Sequence, residues 1–197
     1  MSDPKRRCCG PRDEVGEGEA RGGRRLVIEF LYLDLAECSR CREAESNLEE
    51  ALREVAPVLE ATGVEVEVVK THVQDEQQAL KWGLISSPTI RINGRDIQLE
   101  VWESPCEPCG ELCGEDVECR IWVYQGREYT APPKAMLIEA VLREAYGGSQ
   151  QAIPPTPRPS EVPLNLRRFF ASRHKKKARG DSPCCRTGPG DCCGKST

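Results

Sequence analysis

The chain has 197 residues, of which 38% are apolar and 30% charged, so it is not a chain packed throughout; one domain with tails is the natural organisation. Its net charge of -4 is unevenly spread: from Ser149 onward ten Lys or Arg face three Asp or Glu, which puts +7 on that tail and leaves -11 on the rest. No window approaches the roughly 18 consecutive apolar residues of a membrane span.

Residues 1–23 are rich in Gly, Arg and Glu without periodicity and are predicted to be disordered. They hold no apolar run of the signal-peptide kind, so a cytoplasmic setting is expected. Leu26 to Leu33 is short, β-branched, aromatic and nearly all apolar, which predicts a strand buried on both faces of a sheet. A helix should begin at Ser39 or Arg40. Its Ala44, Leu48, Leu52, Val55 and Leu59 form one apolar face, Pro57 should kink it or end it early, and Gly63 should stop it.

Val64 to Lys70 alternates and predicts a second strand; Asp75 to Trp82 predicts a short helix closed by Gly83. After Ser86-Ser87-Pro88, two apolar runs flank Asn93-Gly94, the strongest short hairpin signal. Ile121 to Tyr124 should continue or replace the second arm. Pro133 to Tyr146 predicts a last helix, with Met136, Leu137, Ala140, Val141 and Glu144 on one stripe, and a Pro-rich linker follows. The predicted fold is α/β: β-α-β-α-β-β-α over residues 24–147, a mixed four-stranded sheet with helices on both faces and a Cys-rich insertion at about 103–119. Residues 148–197 are predicted to be a flexible basic tail. Within it, Leu166 to Arg179 carries Phe169 and Phe170 among cations, which suits an amphipathic helix docking on the acidic body, on a membrane surface or on nucleic acid; with no base-reading motif, docking or simple solvation outranks nucleic acid.

Twelve cysteines in a reducing compartment point to metal binding or thiol chemistry rather than a disulfide framework. Cys38 and Cys41 form a Cys-x-x-Cys pair at the start of the first helix. Free N–H groups and the positive dipole end there stabilise a thiolate, with Arg40 and Arg42 adding to the effect and Glu37 and Glu43 opposing it. Cys38 is expected to be the more exposed, attacking sulfur and Cys41 the resolving one, a redox role that requires no cofactor; a half zinc site is the alternative.

Cys106, Cys109, Cys113 and Cys119 fit three states: a structural zinc site, a disulfide or redox relay, and unbound thiols. The surrounding Glu103, Glu107, Glu111, Glu115, Asp116 and Glu118 would raise the thiol pKa values and favour the first two. The adjacent pairs Cys8-Cys9, Cys184-Cys185 and Cys192-Cys193 suit soft thiophilic ions such as Cu(I), Hg(II) or As(III) better than disulfides with each other. His72, alone at the end of a strand, reads as a surface or capping histidine.

A Cys-x-x-Cys between the first strand and first helix, followed by Ser87-Pro88-Thr89 opening a strand, resembles the thioredoxin-like superfamily. The phrases SSPTIRINGRDI, CGELCGEDVECRIW and PPKAMLIEAVLREAY are similar to an uncharacterised bacterial and archaeal thioredoxin-like family, a domain of unknown function. The resemblance implies a cis Pro88 facing the Cys pair, with Ser86 and Ser87 lining a groove for a thiol substrate. The chain departs from typical thioredoxins in having Glu37 rather than Trp before the first Cys, and in the Cys-rich insertion.

The sequence therefore leads to thiol–disulfide exchange through Cys38 and Cys41, with a protein or small-molecule disulfide as partner. The rival is a carrier of a thiophilic metal or metalloid ion (zinc, Cu(I), Hg(II) or As(III)), in which those cysteines and the tail pairs are ligands.

Overall fold

A computed structural model of the chain describes residues 24–107, 117–147 and 158–178. Four strands, β1 (Arg24–Tyr32), β2 (Val64–His72), β3 (Thr89–Ile92) and β4 (Arg95–Asp96), form a mixed sheet in the order β2-β1-β3-β4. β1 runs parallel to β2, which requires the crossover helix between them, and antiparallel to β3. The sheet is joined to four helices: α1 (Ser39–Ala61), α2 (Glu76–Trp82), α3 (Lys134–Tyr146) and α4 (Leu164–Ala178).

The alternation of side chains along β1 divides the core in two. Leu26, Ile28 and Phe30 meet the buried stripes of α1 (Ala44, Leu48, Val55, Leu59) and α3 (Met136, Leu137, Ala140, Val141). Leu31 and Leu33, of opposite parity, join Ala79 of α2 and Leu166, Phe169 and Phe170 of α4. Helices therefore cover both faces. Of the stripe residues predicted to be buried, Leu52 and Glu144 are only half-buried.

Turns follow their residue types. Asn93 and Gly94 have φ of 53° and 75°, the two positive values that a two-residue turn matching strand twist requires. Asp75 caps α2 by accepting the Gln78 N–H at 2.7 Å. Gly83 ends it in the left-handed region, where an added Cβ would also meet the Arg158 side chain at 2.9 Å.

Three expectations are corrected. Pro57 does not end α1 early: the helix runs on to Ala61. Pro57 and Arg53, whose carbonyl loses its helical partner, both lie exposed, where the lost bond is cheap. Ile121 to Tyr124 does not extend the hairpin. It belongs to β6 (Glu118–Tyr124), the middle of a second, antiparallel sheet between β5 (Trp102–Pro105) and β7 (Arg127–Tyr129). The segment from Arg158 to Ala178, placed by sequence in a flexible tail, instead includes α4, whose apolar face is buried against the body.

Arg120 of β6 joins the two sheets. It is fully buried, and its guanidinium grips both Asp96 carboxylate oxygens at 2.7 and 2.9 Å and the Thr89 hydroxyl at 3.1 Å. It also lies over the Trp122 ring at 4.6 Å. No helix among the described residues is long and apolar enough to cross a membrane. Replacing Arg120 by Met should destabilise the fold by about 3–5 kcal/mol in urea titration, because Asp96 is left charged and buried. A loss below about 1 kcal/mol would mean that the ion pair does not hold the sheets together.

Candidate functional site

Where β1 ends, the chain turns over Asp34, whose carboxylate accepts the Ala36 and Glu37 N–H groups at 2.7 and 2.8 Å. That turn delivers Cys38 to the N-cap of α1. Its sulfur accepts the Cys41 N–H at 3.4 Å, so a sulfur takes the place that a hydroxyl or carboxylate oxygen usually fills. Cys41, one turn into the helix, lies 3.5 Å from the Ser87 hydroxyl. Ser87 Oγ in turn accepts the Leu33 N–H at 3.2 Å, and the Ser87–Pro88 bond is cis.

The second sheet brings two more sulfurs to this point. Ser104 pairs with Cys119, and the Cys106 N–H continues the ladder to Val117 C=O at 2.7 Å. Cys106 stands two residues beyond Ser104, so strand alternation puts Cys106 and Cys119 on the same side. Two contacts fix that side against α1. The Arg40 guanidinium, between the two helix cysteines, donates to Ser104 Oγ at 3.0 Å and Pro105 C=O at 2.7 Å. The Arg120 N–H donates to Ser87 C=O at 3.0 Å. As a result the sulfurs of Cys38, Cys106 and Cys119 all lie within 4.8 Å of one another, and all three residues are buried.

These contacts correct the expected exposure. Cys38, predicted to be the accessible sulfur, is 0% exposed. Leu166, Phe169 and Phe170 of α4 belong to the same buried cluster, and Asn165 ties the start of that helix to Glu103 of β5. Ser86, Ser87 and Pro88, expected to line a groove, are likewise buried. Arg42, expected to assist the thiolate, donates to the Leu35 and Ala36 carbonyls. His72 contacts the Leu33 carbonyl at 2.9 Å and stacks on Tyr32, which is a structural role. Cys8, Cys9, Cys109, Cys113, Cys184, Cys185, Cys192 and Cys193 lie outside the described residues.

Sequence reasoning found Cys38, Cys41, Ser87, Pro88, Cys106 and Cys119, and through resemblance placed Ser87 and Pro88 at the Cys pair, but it missed the convergence of Cys106 and Cys119 on Cys38 and the parts of Arg40 and Arg120 in fastening it. An Arg between the two cysteines, and one inside the apolar run ECRIWVY, were the available signals.

The family model that describes a domain of unknown function, DUF2703, matches residues 26–141. The chain belongs to that family. Its matched span holds every residue of the cluster and ends within α3. No curated protein and no solved structure matches the chain.

The Cys41 thiol is pushed well above its ordinary range, first by its hydrogen bond with Cys38, then by burial, then by repulsion once Cys38 is charged; the Ser87 hydroxyl opposes this. Cys41 thus keeps its proton while Cys38 receives it as a hydrogen bond. A raised folded-state pKa contributes stability that is complete below the unfolded thiol value of about 8.5 and is lost as pH rises towards the folded value. Between about pH 8.5 and 9.5, unfolding free energy should fall by up to about 1.4 kcal/mol per pH unit more steeply in the wild type than in Cys41→Ala. Urea titrations across that range check this; equal slopes would contradict it.

Proposed function

We propose that this domain is a thiol–disulfide exchange protein of thioredoxin-like fold. Cys38 is its attacking sulfur and Cys41 its resolving one. The observation that carries the reading is the pair at the start of α1: Cys38 Sγ accepts a helix N–H at 3.4 Å, and Cys41 holds its proton beside it. The sheet order β2-β1-β3-β4, the helix starting at the pair, and the cis Ser87–Pro88 bond next to Cys41 support it.

In the exchange, the Cys38 thiolate attacks one sulfur of a disulfide. A new S–S bond forms to Cys38, and the other sulfur leaves as a thiolate that takes up a proton. Cys41 then gives up its proton and attacks Cys38. The first substrate sulfur departs, the pair is left as a disulfide, and the substrate is left as two thiols. The burial of Cys38 beside Cys106 and Cys119 favours a relay: those two, when joined as a disulfide, take the two electrons of the Cys38–Cys41 dithiol, and the two thiols so formed reduce a disulfide of a protein or small molecule in turn.

The test is a redox titration of the full chain carrying Ser at the six cysteines of the terminal pairs, read by thiol trapping and peptide mapping. A reversible disulfide involving Cys38 should appear with a midpoint between about -120 and -270 mV. It should be absent in Cys38→Ser, and Cys41→Ser should accumulate mixed disulfides on Cys38. No disulfide to Cys38 at any potential in that range would sink the proposal.

A further inference from the structure

We infer that Cys38, Cys106 and Cys119 form a three-thiolate site for a trivalent thiophilic metalloid of the arsenite class, in which Cys41 takes no part. This goes beyond thiol–disulfide exchange and stands on different observations. Cys38 caps α1, Cys106 follows the end of β5, and Cys119 lies in β6, so three elements held by the Arg40 and Arg120 contacts each supply one sulfur. Their sulfurs are within 4.8 Å of one another. A trivalent arsenic centre is a pyramid whose bonds to sulfur, close to the roughly 2.3 Å of zinc–thiolate bonds, meet at about 95° and hold the sulfurs about 3.4 Å apart, so each sulfur closes on it by about an ångström or less.

Charge selects among soft ions. Three thiolates with a divalent cation leave one negative charge; with a trivalent centre they leave none. The buried cluster that holds the three cysteines also holds Leu33, Leu84, Val117, Leu166, Phe169 and Phe170. A net charge is costlier to bury among such side chains than a neutral three-sulfur complex. Arg40 directs its donors to the oxygens of Ser104 and Pro105. Thiolate donors favour soft centres over oxygen-seeking ones.

The binding step balances without any co-reactant. Arsenite enters as As(OH)3, and each of its three As–O bonds is replaced by an As–S bond. Each departing hydroxide leaves as water with the proton of one thiol. No electrons are transferred. Cys41 lies outside the cluster of three, so the metalloid uses one member of the Cys-x-x-Cys pair together with two sulfurs of the second sheet.

The test is an anaerobic titration of the reduced full chain, with Ser at the six cysteines of the terminal pairs, against sodium arsenite. Native mass spectrometry should show one arsenic gained with three protons lost. Cys38→Ser, Cys106→Ser and Cys119→Ser should each raise Kd by about a hundredfold or more, while Cys41→Ser should change it by less than about threefold. X-ray absorption on the arsenite-loaded, otherwise wild-type core covers the case of a variant that does not fold, and should count three sulfur neighbours and no oxygen. Two sulfurs with one oxygen would overturn the inference, as would loss of binding in Cys41→Ser, unaltered binding in Cys106→Ser, or a requirement for Cys109 or Cys113. Zinc alone binding more tightly than arsenite through the same three residues would overturn the choice of a trivalent centre. Each of these outcomes leaves the disulfide titration free to succeed or fail by itself.

Discussion

Everything at the cysteine cluster depends on how Arg120 is held. Its side chain closes a bidentate ion pair with Asp96 in the second arm of the hairpin, and its backbone N–H reaches the carbonyl of Ser87, just before Pro88. A fully buried guanidinium is tolerable only when its charge is paired, and here Asp96 pairs it while the two terminal nitrogens also reach Thr89 and the Gln98 carbonyl; Nε alone is left without a hydrogen bond. That requirement leaves β6 little freedom of position. Cys119 is the adjacent residue, so placing Arg120 also places the sulfur.

Two layers then close over the Cys-x-x-Cys pair. Arg40 fastens β5 and thereby Cys106, while Phe169 and Phe170 of α4 join the same buried cluster. The helix N-terminus that should activate Cys38 towards an outside disulfide is thus directed at sulfurs of the same chain. Burial that would slow an external reaction is the same burial that makes a neutral, three-sulfur complex favourable. Thiol exchange and metalloid capture are therefore two chemistries of one arrangement, separated by the role of Cys41: resolving sulfur in the first, bystander in the second.

The local elements were legible in the sequence because their signals are local. The periodicity of Ala44, Leu48, Val55 and Leu59, the Asn93-Gly94 turn and the Gly83 stop each act over a few residues, and each appears where its pattern places it. Ser87–Pro88 was legible through resemblance, and it is cis. The second sheet was not legible: β5 and β7 are only four and three residues long, too short for alternation to speak. Nor was the burial of Arg120, since a lone Arg in a strand usually reaches solvent and its partner Asp96 stands 24 residues away. Val162, just before α4, and Leu166, Phe169 and Phe170 within it have helical spacing and are buried, but the cations between them left both docking and simple solvation open in the sequence.

The central claim is that Cys38 is sealed inside the protein, in a cluster shared by residues of β6 and α4. The measurement that tests it most directly is the alkylation rate of Cys38 in the native full chain, followed by quenched-time mass spectrometry against an unstructured Cys peptide. The account predicts a rate lower by about a thousandfold or more, the protection given by an opening free energy of about 4 kcal/mol. Alkylation of Cys38 at the rate of the peptide would contradict it.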